Sequence, residues 1–324
     1  MRFIKVLIML SSVALFWSCQ KDNGLKGSQS PTSSGDSITN KWKLVYNKND
    51  NFTCLLAIGN SIIAGTDNIT YPGGLYISSD SGNTWDTITN GLPDFVRISC
   101  LVAIGKDIYA GVPGLYRSSD TGKQWISISG DLSPYTITDI AISGNNILAA
   151  TSRGVYVSKN DGKHWVQKNS GLSYYFSVYA LAIKKDSIYA TTDKGVFLST
   201  DTCNTWTPIN TGFPKNTMIS SLVIKGNKFI AGAASGRIYT SNDNGLHWSN
   251  NGTKLNANVR SLIINGDSIY AVTNVYLYYS RDNGVKWDTL SNYGLSRINT
   301  YGSIAVSGHY IYAGATYGIW RKRL

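Results

Sequence analysis

The sequence predicts an all-β fold: a single seven-bladed β-propeller of four-stranded antiparallel blades, closed by an N-terminal strand. Three observations predict it. The stretch "SSDSGNTW", residues 78–85, returns as "SSDTGKQW", "SKNDGKHW", "STDTCNTW", "SNDNGLHW" and "SRDNGVKW". The tryptophans ending these stretches, at 85, 125, 165, 206, 248 and 287, are 40, 40, 41, 42 and 39 residues apart, a propeller-blade period. Between them lie short apolar runs with β-turn punctuation, and no segment of useful length has helical periodicity.

Each unit has the same order. A strand such as "CLLAI" enters a tight turn, "SIIAGT" returns, and after a short loop come "GLYIS", the Ser-x-Asp turn and "TWDTI". A seventh copy of the first three strands, "YGSIAVSGHYIYAGATYGIWRKRL", aligns Trp320 with Tyr76 and stops before an outer strand. At the other end, "NKWKLVY" sets Trp42 before the first inner strand as Trp85 stands before the second. The N-terminal strand is therefore expected to complete the last blade and leave no open edge. Residues 41–324 then hold seven blades of about 41 residues. One inner-strand position is small or short in every blade: Cys54, Cys100, Asp139, Ala180, Ser221, Ser261 and Ser303. Crowding at the axis requires this, and Asp139 is its one charged member.

Within the repeated turn the Asp80 carboxylate is placed to accept amides of its own hairpin, Gly82 supplies a positive φ, and Trp85 opens the outer strand with a large apolar face. Asp120, Asn160, Asp201, Asp243 and Asp282 stand where Asp80 does. These residues resemble the Asp-box, the bacterial neuraminidase repeat, over nearly all of residues 41–324. Asn160 in the third copy and Cys203 in place of the fourth glycine depart from the pattern, so those two turns are expected to be weaker.

The N-terminus reads as an export signal over residues 1–18: Arg2 and Lys5, then the apolar "VLIMLSSVALFW", too short to span a bilayer as a helix. Ser18-Cys19 resembles the lipobox of bacterial lipoproteins, which implies acylation of Cys19 and anchoring to the outer membrane, on its periplasmic or cell-surface face. A plain secretory signal is the alternative. Residues 19–40, rich in Ser, Gly, Asp and Asn, are expected to be a flexible tether. Their "QKDN" resembles the surface-export signals of Bacteroidetes lipoproteins. An acylated Cys19 leaves Cys54, Cys100 and Cys203; Cys54 and Cys100 are either bridged or two small buried residues.

Loss of Arg2 and Lys5 with the signal leaves 28 basic residues against 19 acidic, a net charge of +9. This favours anionic partners, and an exported protein points to an acidic glycan or protein surface rather than nucleic acid. A monomer is expected. No His/Cys spacing suggests a metal, no cofactor motif is present, and His164, His247 and His309 read as surface or turn residues. Asp-box propellers include sialidases, whose nucleophilic tyrosine pairs with a glutamate; this chain has no glutamate. Xyloglucan hydrolases with such repeats use aspartates in a cleft between two propellers, and here one propeller is predicted. The expectation is a non-catalytic binding or scaffold propeller. The alternatives are a glycoside hydrolase or a carbohydrate-binding accessory of a glycan-utilisation system. In architecture the chain resembles the photosystem II assembly-factor propellers, which implies a protein-binding scaffold.

The face where inner strands begin gathers the loops most able to bind. Its candidates are Arg97, Tyr135, Arg153, Tyr175, Lys194, Arg260 and Arg297, cations and aromatics suited to carboxylates, phosphates and sugar rings. Arg153 and Lys194 precede Gly154 and Gly195 in the same loop of successive blades.

Overall fold

The computed structural model describes residues 41–324 apart from 48–49, 68–73, 95, 133–134, 173–176, 251 and 292–300. Residues 1–40, on which the expected signal, Cys19 and the expected tether fall, lie outside the described residues. Seven antiparallel sheets form a ring, a seven-bladed β-propeller, and the described residues include no helix. Blade 1 consists of Phe52–Ile58, Ser61–Thr66, Leu75–Ser78 and Asp86–Thr87, in that order from axis to rim. The second strand of every blade is buried almost throughout, because both its faces meet neighbouring blades. The apolar core is correspondingly divided into seven clusters, one at each junction between blades.

The last blade is closed as expected. Lys43–Tyr46 pairs with Gly318–Arg323, Leu44 opposite Trp320, and supplies the outer strand of blade 7. Blade 5 departs from four strands. Its outer edge is reduced to the bridges Thr240↔Ser249 and Arg237↔Lys254 beside a three-stranded sheet.

All six repeated turns share one hydrogen-bond pattern. In the first, Ser78 Oγ donates to Asp80 Oδ1 (2.8 Å) and accepts from Gly82 N (2.7 Å), while Asp80 Oδ1 also accepts from Asn83 and Thr84 amides. Asn160 keeps this geometry through Oδ1, which accepts from Ser158 Oγ and His164 N, so losing the charge does not lose the turn. Cys203 keeps it too: at φ +65° its amide donates to Ser199 Oγ at 2.9 Å. The third and fourth turns thus hold the same bonds as the others.

The repeat tryptophans do more than pack. Indole N–H groups of Trp125, Trp165, Trp206 and Trp248 donate to the carbonyls of Ile88, Ile128, Lys168 and Ile209, each in the preceding blade. Trp42 does the same for blade 7, donating to Ser291 O at 2.8 Å. It is therefore the seventh member of the tryptophan series. Trp85 and Trp287 differ: their N–H groups stay within their own turns, on Gly82 O and Gly284 O, and their rings are less buried.

Candidate functional site at the axial mouth

Six of the seven inner strands carry a β-bulge near their first residue, as between Phe52 and Cys54; in blade 2 the corresponding residue, Ser99, directly precedes the strand. The extra residue breaks the alternation, so two successive side chains face the axis or the next blade. Thr53, Ser99, Thr138 and Ser220 use this position structurally. Their hydroxyls donate to Ile98 O, Ile137 O, Val178 O and Val259 O of the following blade, at 2.5–2.7 Å. Three blades give up this hydroxyl. Blade 7 has Gly302, where a Cβ would strike the Phe52 carbonyl of blade 1. Blades 4 and 6 have Tyr179 and Arg260 instead, and both line an axial cavity of about 430 Å³.

Arg97 lines the same cavity. Its neighbours Val96 and Ile98 are buried, so strand-like alternation sends the guanidinium outward. Arg97 and Arg260 are exposed, and among the described residues neither ion-pairs with a carboxylate. Thr136, Met218 and Asn258 complete the upper wall.

A second cavity of about 390 Å³ continues along the axis and shares the bulge residues with the first. Its charged acid is Asp139, whose oxygens accept from Ile140 N and Leu181 N, both at 2.8 Å, so the carboxylate also ties blade 3 to blade 4. Burial raises its pKa to about 6 against those two amide bonds. Cys54 and Cys100 lie beside it as free, buried thiols, so the bridged alternative is not what the structure holds. Burial pushes Cys54 up to about 12 and Cys100 well above its usual value, the latter also through Asp139. Asp193, near enough to help burial raise the Tyr179 pKa, does not line either cavity.

The other candidates fall elsewhere. Arg153 and Lys194 are exposed and lie outside the lining of both cavities. Their loops are held alike: each amide donates to the Thr hydroxyl two residues earlier (Thr151, Thr192), and each carbonyl accepts from an Asn side chain (Asn169, Asn210). Tyr135 is half-buried against Tyr156, ring centroids 5.7 Å apart, and so anchors its loop. Tyr175 and Arg297 lie outside the described residues. Sequence reasoning misses Tyr179, which only the offset of the bulge residue from the small position marks, and Asn258, which precedes its inner strand and carries no such signal.

Opposite pH dependences are built into the two faces. The turn carboxylates of Asp80 and Asp201 are lowered to about 2, first by backbone amides, so they stabilise above the unfolded value near 4 and lose this as pH falls toward 2. Asp139 is raised, so its contribution is complete below about pH 4 and is lost as pH rises through about 6. Melting temperature against pH is expected to peak near pH 4–5. In Asp139→Asn the fall between about pH 4 and 6 should vanish, and a retained fall would assign it to another group.

Residues 175–301 match the model of the DUF6242 beta propeller domain. No curated protein matches the sequence. Among solved structures, the chain is similar to the extracellular domain of the BT4673 one-component or hybrid two-component system of B. thetaiotaomicron (18% identity, TM-score 0.72), covering 88% of this chain and 40% of that one. It is similar to the GH74 xyloglucanase of Xanthomonas campestris (16%, 0.70), covering 87% and 53%. It is also similar to YCF48 bound to a D1 peptide (16%, 0.67), covering 88% and 96%. The chain thus spans well under two thirds of the first two, and at these identities the likeness is one of fold. What the comparisons and the seven sheets together show is a seven-bladed β-propeller.

Proposed function

We propose that this chain is an exported, lipid-anchored binding propeller that engages an anionic group of a glycan or protein partner at its axial mouth. Residues 1–18 act as the signal, Cys19 carries the lipid at the outer membrane, residues 19–40 form the tether, and 41–324 the propeller. The observation that carries the binding site is the pair Arg97 and Arg260, two cations on one cavity without an acid partner among the described residues. Guanidinium forks suit carboxylate, sulfate and phosphate oxygens. Arg153 and Lys194, outside the cavity, steer such a ligand toward it.

Two likenesses support this reading: BT4673 carries the fold in an extracellular domain, and YCF48 carries it with a peptide bound. Hydrolysis fits less well. Glycosidases set two carboxylates across the scissile bond, and Asp139 is the one carboxylate among the described residues lining the axial cavities.

Binding should be measured against sulfated and carboxylated glycans and acidic peptides at low and high salt. Removing a charged hydrogen-bond partner costs about 1.5–3 kcal/mol, so Arg97→Ala and Arg260→Ala should each weaken binding roughly ten- to hundred-fold. Asp80→Ala, on the opposite face, should lower the melting temperature and leave affinity unchanged. An Arg260→Ala protein that binds like wild type removes the axial site, and turnover of a glycan substrate would favour the hydrolase.

A further inference from the structure

The anion reading uses only the upper part of an axial space that carries charge of both signs. Arg97 lies on the upper cavity, Arg260 on both, and Asp139 on the lower one alone. Asp139 belongs to the ring of residues one step along the inner strands from that of Arg260, a rise of about 3.3 Å. The reach of the arginine side chains adds to that separation. Each Asp139 oxygen accepts one backbone amide, and a carboxylate has further acceptor capacity on both oxygens. No cation among the described residues pairs with it. The neighbouring thiols of Cys54 and Cys100 stay protonated, so they add no second negative charge beside it.

We propose that the group received by this cavity is a zwitterion: an anionic end on Arg97 and Arg260, and an ammonium a few bonds away on Asp139. The chemical class is a free amino-carboxylate of amino-acid to dipeptide size. A simple anion would leave the floor acid without a charge partner, whereas an ammonium would supply one and so offset the cost of its own desolvation. The two cavities, about 430 and 390 Å³, lie in the range that encloses small ligands. Arg260, lining both, is the residue through which the two ends are coupled.

This rests on the proposed anion site, and the test separates the two. Calorimetric titrations of the full domain would use glycine, 4-aminobutyrate and glycylglycine, each beside its N-acetyl derivative, which keeps the carboxylate and removes the ammonium. The expected result is saturable binding of at least one free amine, weakened ten-fold or more by acetylation and likewise in Arg260→Ala. In Asp139→Asn the free amine should fall to the level of its acetyl derivative. A stronger dipeptide than amino acid would indicate the longer spacing between the two charged ends, and the reverse the shorter; either supports the proposal. Equal binding of free and acetylated forms by the wild-type protein overturns it while leaving the anion site intact. Binding of neither, with acidic glycans or peptides still requiring Arg260, also overturns it. Loss of all anion binding defeats the underlying site as well. The wild-type comparison of amine with acetyl amide decides the matter even if Asp139→Asn folds poorly.

Discussion

Trp42→Ala should open the ring, at a cost of about 3–5 kcal/mol from lost burial and the cavity left behind. Trp42 is 2% exposed and packs with Tyr270, Leu290, Ile304 and Ile311 at the junction of blades 6 and 7. Its indole N–H also donates to Ser291 O, so truncation removes an inter-blade bond together with the packing. Trp85→Ala is the internal control: Trp85 occupies the matching place in blade 1, but it is less buried and its N–H stays in its own turn. Denaturant titration should place Trp42→Ala well below Trp85→Ala. Deleting residues 1–47 should prevent cooperative folding, and deleting 1–38 should not. Equal midpoints for the two tryptophan variants would mean that closure does not depend on the first strand.

The second large effect comes from adding a single methyl group. In Gly302→Ala the new Cβ meets the Phe52 carbonyl and the Thr53 Cα, backbone of blade 1 that cannot rotate away. Overpacking of this kind costs about 1–3 kcal/mol, and an obstacle made of backbone places it at the upper end. The comparison is Gly266→Ala. Gly266 has φ +55° with nothing within 4 Å of a Cβ, so it bears only the penalty of a left-handed residue, about 1–2 kcal/mol. If Gly302→Ala unfolds at the same denaturant concentration as wild type, blades 7 and 1 are not pressed together at the axis.

The sequence carried the blade count and the closure because both depend on period and alternation, which are local. Trp42 could be aligned with Trp85 without knowing what either touched. The expected weakness at Asn160 and Cys203 was a judgement about residue type. An amide oxygen accepts the same bonds as a carboxylate oxygen, and Cys203 tolerates φ +65° inside a buried cluster, so the hydrogen bonds persist. The proposed axial site is half legible. Arg97 and Arg260 stand out as charges at loop and strand edge, but Tyr179 looks like any strand tyrosine until the bulge turns it to the axis. Conversely, Arg153 and Lys194 occupy matching loops, yet they sit outside the cavity because those loops join the second and third strands, away from the innermost ring.

The pairing of Leu44 with Trp320 has a kinetic meaning. Every other strand finds its sheet neighbour through a connection of one to eight residues, whereas this pair closes a loop of about 275. The extra entropy grows only logarithmically, about 3 kcal/mol relative to a dozen-residue hairpin, but it falls on one seam. That seam should be the last to form during folding and the first to part in the native state. Backbone amides of Lys43–Tyr46 and Gly318–Arg323 should therefore exchange with solvent through a partial opening that leaves blades 2 to 5 protected, making the join between these two strands the fold's own breathing point.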